Sequence, residues 1–210
     1  MFSLAKLSPT VTDMIRFDHS HVFVTFHQFT QDKSPTVKKA LSDTICAALE
    51  IHATLEEEIF YPVMRTIDTP DPVLEKAPHE HADMKRLIRE LRKIPGNDDL
   101  HDRVLLELMR EVIHHVADEE TVVLPNAERK LSKERLTELG VEMNKRRIEL
   151  LAPQAGKVAI SHAVGFSGST AAWLLGAAGA IGAMLVFSAA GRNTAVAIGL
   201  HRQRGRREGV

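Results

Sequence analysis

A single cysteine, Cys46, stands in a chain of 210 residues. No internal disulfide and no cysteine-built metal site can form from it, and it is expected to be a small buried apolar residue. Aromatic residues make up only 5%, with one tyrosine and one tryptophan, so any core must come mainly from Leu, Ile, Val and Met. Neither sign of charge prevails: 27 Lys and Arg stand against 28 Asp and Glu. A nucleic-acid partner is not expected from that balance, because such proteins carry a clear basic excess. Residues 1–8 hold no long apolar run, so no secretory leader is expected and a reducing, cytoplasmic setting is the default. No strand-like alternation competes with the helical pattern described next.

Helical periodicity is what the sequence has in quantity. Met14, Ile15, Phe17, Val22, Phe26 and Phe29 form a mostly apolar stripe over residues 10–31. Ser34-Pro35 opens a second helix, as N-cap and first-turn proline, which runs towards Pro62. After the loop Thr69-Pro70-Asp71-Pro72, a third helix starts between Pro72 and Pro78 and reaches about Lys93. Asp98 or Asp99 caps a fourth, through Leu105 and Val112, which Pro125 ends or bends. Ser132 caps a shorter helix to about Leu150. Long helices joined by short turns predict an all-α, up-down four-helix bundle with a short extra helix. The expected bundle domain covers residues 1–152.

Residues 153–210 differ in composition. No charged residue falls between Lys157 and Arg192, and Arg202, Arg204, Arg206 and Arg207 follow. The run from Thr170 to Ala190 has the length of a bilayer-spanning helix. Two expectations stand for this apolar tail. One is a membrane-associated helix over 163–190; the other is an Ala/Gly-rich, self-associating tail.

Histidine is also abundant, with eleven residues, and it is the commonest metal ligand. Position decides its meaning. Asp18-His19 is followed 33 residues later by His52-x-x-x-Glu56-Glu57-x-x-x-x-Pro62. Glu80-His81 is followed 34 residues later by His115-x-x-x-Glu119-Glu120-x-x-x-x-Pro125. Residues four apart share one helix face, so each His-x-x-x-Glu pair can offer a nitrogen and a carboxylate to one point. His19 and His81 add one imidazole each. Carboxylates can bridge two cations and offset their repulsion, and mixed imidazole and carboxylate ligands suit iron, manganese or zinc. Helical facing favours Glu119 over Glu120 as the inward carboxylate.

This doubled DH…HxxxEE…P / EH…HxxxEE…P arrangement resembles the hemerythrin-like, or HHE, cation-binding family over roughly residues 10–150. The resemblance implies a pair of iron ions with an oxo or hydroxo bridge. His19 and His52 would bind one iron, His81 and His115 the other, with Glu56 and Glu119 bridging. It further implies a non-haem di-iron protein that binds or reacts with O2, peroxide or nitric oxide in stress response or sensing. Catalase-like peroxide decomposition is its candidate activity. The alternatives are an iron-dependent sensor or binding module without turnover, docked to a membrane or partner by its tail, and a zinc-stabilised bundle. Respiratory hemerythrins carry two histidines four apart on the third helix. Here Ala77 and Lys85 flank His81 at that spacing, which implies a more open iron.

Tyr61, five residues after Glu56, is either a hydrogen-bond donor or redox-active phenol at the centre, or a packing residue at the bundle end. His21, His27, His79 and His114 are offset from the inward faces. His101 is expected at the bundle end, and His162 and His201 lie beyond the bundle. Glu57, Glu58 and Glu120 are expected on a solvated face, with support of a ligand histidine as the alternative role.

Overall fold

The computed structural model describes residues 9–67, 71–154, 156–157 and 159–161. The chain divides into two units, Met1–Phe166 and Ser167–Val210, and every described residue belongs to the first. The expected apolar helix over 163–190 and the basic C-terminus lie outside the described residues. Among the described residues no helix is long and apolar enough to cross a membrane.

All regular structure among the described residues is helical. Helix α1 spans Val11–His27 and α2 Pro35–Leu55. A π turn over Glu56–Phe60 then leads into α3, Tyr61–Ile67. Helix α4 is Pro72–Leu91 and α5 Asp99–Asp118. A second π turn over Glu119–Val123 leads into α6, Leu124–Lys130, and α7 follows over Lys133–Leu151. The helix starts have local causes. Thr10 and Asp13 form a reciprocal capping box before α1. Ser34 caps α2 ahead of Pro35, Asp71 caps α4 ahead of Pro72, and Asp98 caps α5. Ser132 accepts from the Arg135 amide to start α7.

The two π turns occupy matching places in the internal repeat, each just before a proline. Pro62 and Pro125 lack the amide that an α-helix would use, and their rings would strike the carbonyl four residues back. Widening the turn to an i→i+5 bond, from Tyr61 N–H to the Glu56 carbonyl and from Leu124 N–H to the Glu119 carbonyl, keeps each helix going through its proline. Pro125 therefore does not end the helix, and α6 continues to Lys130.

α1 packs on α2, α4 on α5, and α7 lies against α1 and α2. The core forms two apolar layers. One holds Ile15, Leu55, Tyr61, Ala77, Val123 and Leu139; the other holds Val22, Leu49, Met84, Leu105 and Val112. Along each helix the residue between the layers is polar: His19 between Ile15 and Val22, His52 between Leu49 and Leu55, His81 between Ala77 and Met84. Cys46 is buried as expected, and burial pushes its thiol up to about 12. His101, expected at the bundle end, is fully buried there. Its Nε2 lies 3.0 Å from Ser42 Oγ and its ring stacks on Phe29.

Candidate metal centre

Six polar side chains meet in the plane between the apolar layers. His19, His52, Glu56, His81, His115 and Glu119 are all buried. They form two overlapping groups whose ligand-capable atoms lie within 4.8 Å of one another: His19, His52, Glu56 and Glu119, and Glu56, His81 and His115. Glu56 Oε2 lies 3.2 Å from His52 Nε2, 3.4 Å from His81 Nε2 and 4.0 Å from His115 Nε2. Glu119 Oε2 lies 3.3 Å from His19 Nε2 and 3.6 Å from His115 Nε2. Each carboxylate thus reaches both histidine pairs.

Atoms in the middle of this cluster are left unpaired. His19 Nε2, His52 Nε2, Glu56 Oε1 and Glu119 Oε2 are buried with no hydrogen-bond partner. Burying such groups without compensation is costly, and soft-to-borderline nitrogen with carboxylate oxygen is the donor set that transition-metal ions take. The residues present therefore fit a metal at this point.

The Nδ1 edges of the imidazoles are all engaged from outside. His52 Nδ1 lies 3.4 Å from Asp18, and His115 Nδ1 donates to Glu80 at 2.9 Å. His81 Nδ1 donates to Glu57 at 3.0 Å, and His19 Nδ1 to Glu120 at 2.8 Å. The acid of each acid-His pair thus serves the histidine of the following long helix. The second glutamate of each EE doublet serves the acid-His histidine of the other repeat. A carboxylate on Nδ1 fixes the tautomer and turns Nε2 towards the centre. Glu57 and Glu120, at 34% and 39% exposure, stay partly solvated and take the alternative, supporting role; Glu58, by contrast, pairs with Arg146 at the surface.

Of the two expectations for Tyr61, the structure matches the hydrogen-bond donor at the centre rather than packing at the bundle end. Its hydroxyl donates to Glu119 at 2.7 Å and lies 3.2 Å from Glu56, while its ring stacks on His81. On the imidazole side, a cavity is walled by Val22, Leu49, Met84, Ile88, Val112 and Val116, with Asp18 and Lys85 as its polar members beside the four histidines. Lys85 points at Glu57, with Nζ at 2.8 and 2.7 Å from its oxygens. His27, His79 and His114 are exposed and His21 is half-buried, and none of the four belongs to the cluster of ligand-capable atoms. His162 and His201 lie outside the described residues.

The electrostatics follow from two carboxylates buried together. Burial and the charge of Glu119 push Glu56 well above the usual carboxylate range. Burial also opposes charge on Glu119, but the closeness of His19, whose Nε2 lies 3.3 Å away, and the attraction of His115 outweigh it and hold Glu119 low. Burial likewise works against a charged His19, yet Glu119 and Glu56 raise it to about 9. For His52, burial wins over Asp18 and lowers it to about 4. Without metal these shifts favour the protonated forms of Glu56 and His19 and the neutral form of His52. The Tyr61 proton goes to Glu119, the carboxylate that carries the charge.

A family model described as the hemerythrin HHE cation binding domain matches residues 10–132. A curated relative from Nostoc sp. (strain PCC 7120), named DNA nickase, is 30% identical over 138 residues, covering 65% of this chain and 39% of that protein. The chain therefore spans well under half the length of that relative. No solved structure matches.

Proposed function

Because the chain belongs to the hemerythrin HHE cation binding domain family and carries buried His/Glu groups suited to a metal cofactor, we propose that this centre holds two iron ions and binds or reacts with O2, peroxide or nitric oxide. The observation that carries the proposal is the sharing of Glu56 by both groups of ligand-capable atoms. A single-ion site has no use for a carboxylate that reaches two separate histidine pairs. In this reading His19 and His52 would hold one ion and His81 and His115 the other, and Glu56 and Glu119 would complete the ligand set.

Iron held by these residues would supply electron exchange with a small ligand. The remaining work falls to the chain. Asp18, Glu57, Glu80 and Glu120 orient the four imidazoles. Tyr61 holds its proton against Glu119 and keeps that carboxylate in place. The apolar wall of the cavity admits small neutral molecules and gives little purchase to larger polar ones. The net charge of −1 also favours a small ligand over a polyanion.

The test is metal content with an absorption spectrum, on wild type and on Glu56→Ala with Glu119→Ala. Two irons per chain, with absorption bands lost in the double variant, are expected. Iron unaffected by the substitutions overturns the proposal. Adding peroxide, O2 or nitric oxide to the iron-loaded protein then separates turnover from reversible binding, the mode of a sensor. Peroxide loss no faster than with free iron removes the catalase-like activity.

A further inference from the structure

Three of the four carboxylates that hold the histidines are themselves held by a cation, and one of them by a residue outside the repeat. Glu57 is gripped by Lys85 of α4, and Glu80 by Lys76, one turn earlier on the same helix. Asp18 is gripped by Arg147 of α7. Arg147 Nη1 lies 2.5 Å from Asp18 Oδ1 and Nη2 2.7 Å from Oδ2, a two-pronged pairing that fixes the carboxylate plane. Both side chains are largely shielded, at 21% and 11% exposure. α7 begins at Lys133, just beyond the residues 10–132 that the family model matches.

We infer that Arg147 is a positioning residue of the centre, which holds the Asp18 carboxylate against His52 Nδ1 and so keeps His52 Nε2 aimed at the metal. The inference rests on the metal-centre proposal for its purpose, though not for its geometry. The Asp18 to His52 distance of 3.4 Å is the longest of the four carboxylate–imidazole contacts. Asp18 is therefore the arm that most needs a second anchor. The location of α7 is fixed independently. Gly140 passes so near the start of α1 that a Cβ there would sit 2.4 Å from the Pro9 carbonyl oxygen. On the same helix, Arg146 makes an ion pair with Glu58, at 2.7 Å, which touches no histidine of the centre. The two adjacent arginines thus supply a built-in comparison: each ties α7 to the bundle, and only Arg147 reaches a ligand histidine through its partner.

The experiment compares Arg147→Ala, Arg147→Lys and Arg146→Ala in the full chain with two readouts. The first is the ring nitrogen NMR shifts of His52 in metal-free protein at one fixed pH, which report its tautomer. The second is ferrous iron affinity. Arg147→Ala is expected to erode the Nδ1–H tautomer and to weaken iron binding roughly 10–100-fold, the scale of lost support behind a metal ligand. Arg147→Lys should recover part of both, and Arg146→Ala should change neither. Asp18→Asn should reproduce the loss, and adding Arg147→Ala to it should cost nothing more, since the two act in series. A wild-type tautomer and affinity in Arg147→Ala, or additive losses in the double variant, overturn the inference. A wild-type chain that takes up no iron overturns the metal-centre proposal instead, and the tautomer still judges Arg147.

Discussion

Glu57 and His81 belong to different halves of the internal repeat, yet Glu57 Oε1 lies 3.0 Å from His81 Nδ1. The mirror contact joins Glu120 to His19 across the bundle. These crossed contacts couple the two halves, and they make a supporting carboxylate a stability element as well as a tuning one. The hydrogen bond from His81, then Lys85, brings Glu57 down to about 2 against a usual 4.5, although burial opposes this. A carboxylate with a lowered pKa contributes stability above its unfolded pKa and loses it as pH falls through the folded one. Metal-free protein should therefore lose stability between about pH 4.5 and 2, and Glu57→Gln should flatten part of that slope. Thermal melts across this range are the check, and an unchanged slope would count against the contact.

Metal uptake should release protons. Near neutral pH, metal-free His19, raised to about 9, carries a proton, and Glu56 keeps its proton to higher pH than an ordinary carboxylate. A metal ligand must be deprotonated, so affinity should weaken as pH falls below that of His19. Calorimetric titration in buffers of different ionisation heat reads the release directly. Heats independent of buffer would contradict this protonation pattern.

Glu119 and Glu120 are neighbours with separate tasks. Glu119 faces both histidine pairs through Oε2, whereas Glu120 meets only the outer edge of His19. Glu119→Gln should lower the metal-to-protein ratio. Glu120→Gln should keep the ratio and weaken affinity ~10–100-fold. Metal analysis of both variants decides, and equal effects would dissolve the distinction.

Tyr61→Phe keeps the ring and its stacking on His81 but removes the donor to Glu119. Leaving a buried acceptor unmet costs about 1–3 kcal/mol, so metal-free Tyr61→Phe should lose about that much unfolding free energy in a denaturant titration. Iron-loaded protein should also change its absorption, because Glu119 is freed to move. A variant indistinguishable from wild type in both states would return Tyr61 to mere packing.

The helices and their starts were legible in the sequence because caps, prolines and apolar spacing are local. So was the facing of His52 with Glu56 and of His115 with Glu119, which the rise and turn of one helix determine. The role of Tyr61 was not. On an α-helix a residue five positions on points about 140° away, and only the π turn before Pro62 brings it back over Glu56. Nor could spacing say which carboxylate meets which imidazole. Asp18 adjoins His19 in the chain yet serves His52, and Arg147 enters from a helix 129 residues away from Asp18. Those pairings depend on how far each helix is rotated and shifted against its neighbours. Packing of the two apolar layers decides that, and no repeat within a single helix records it.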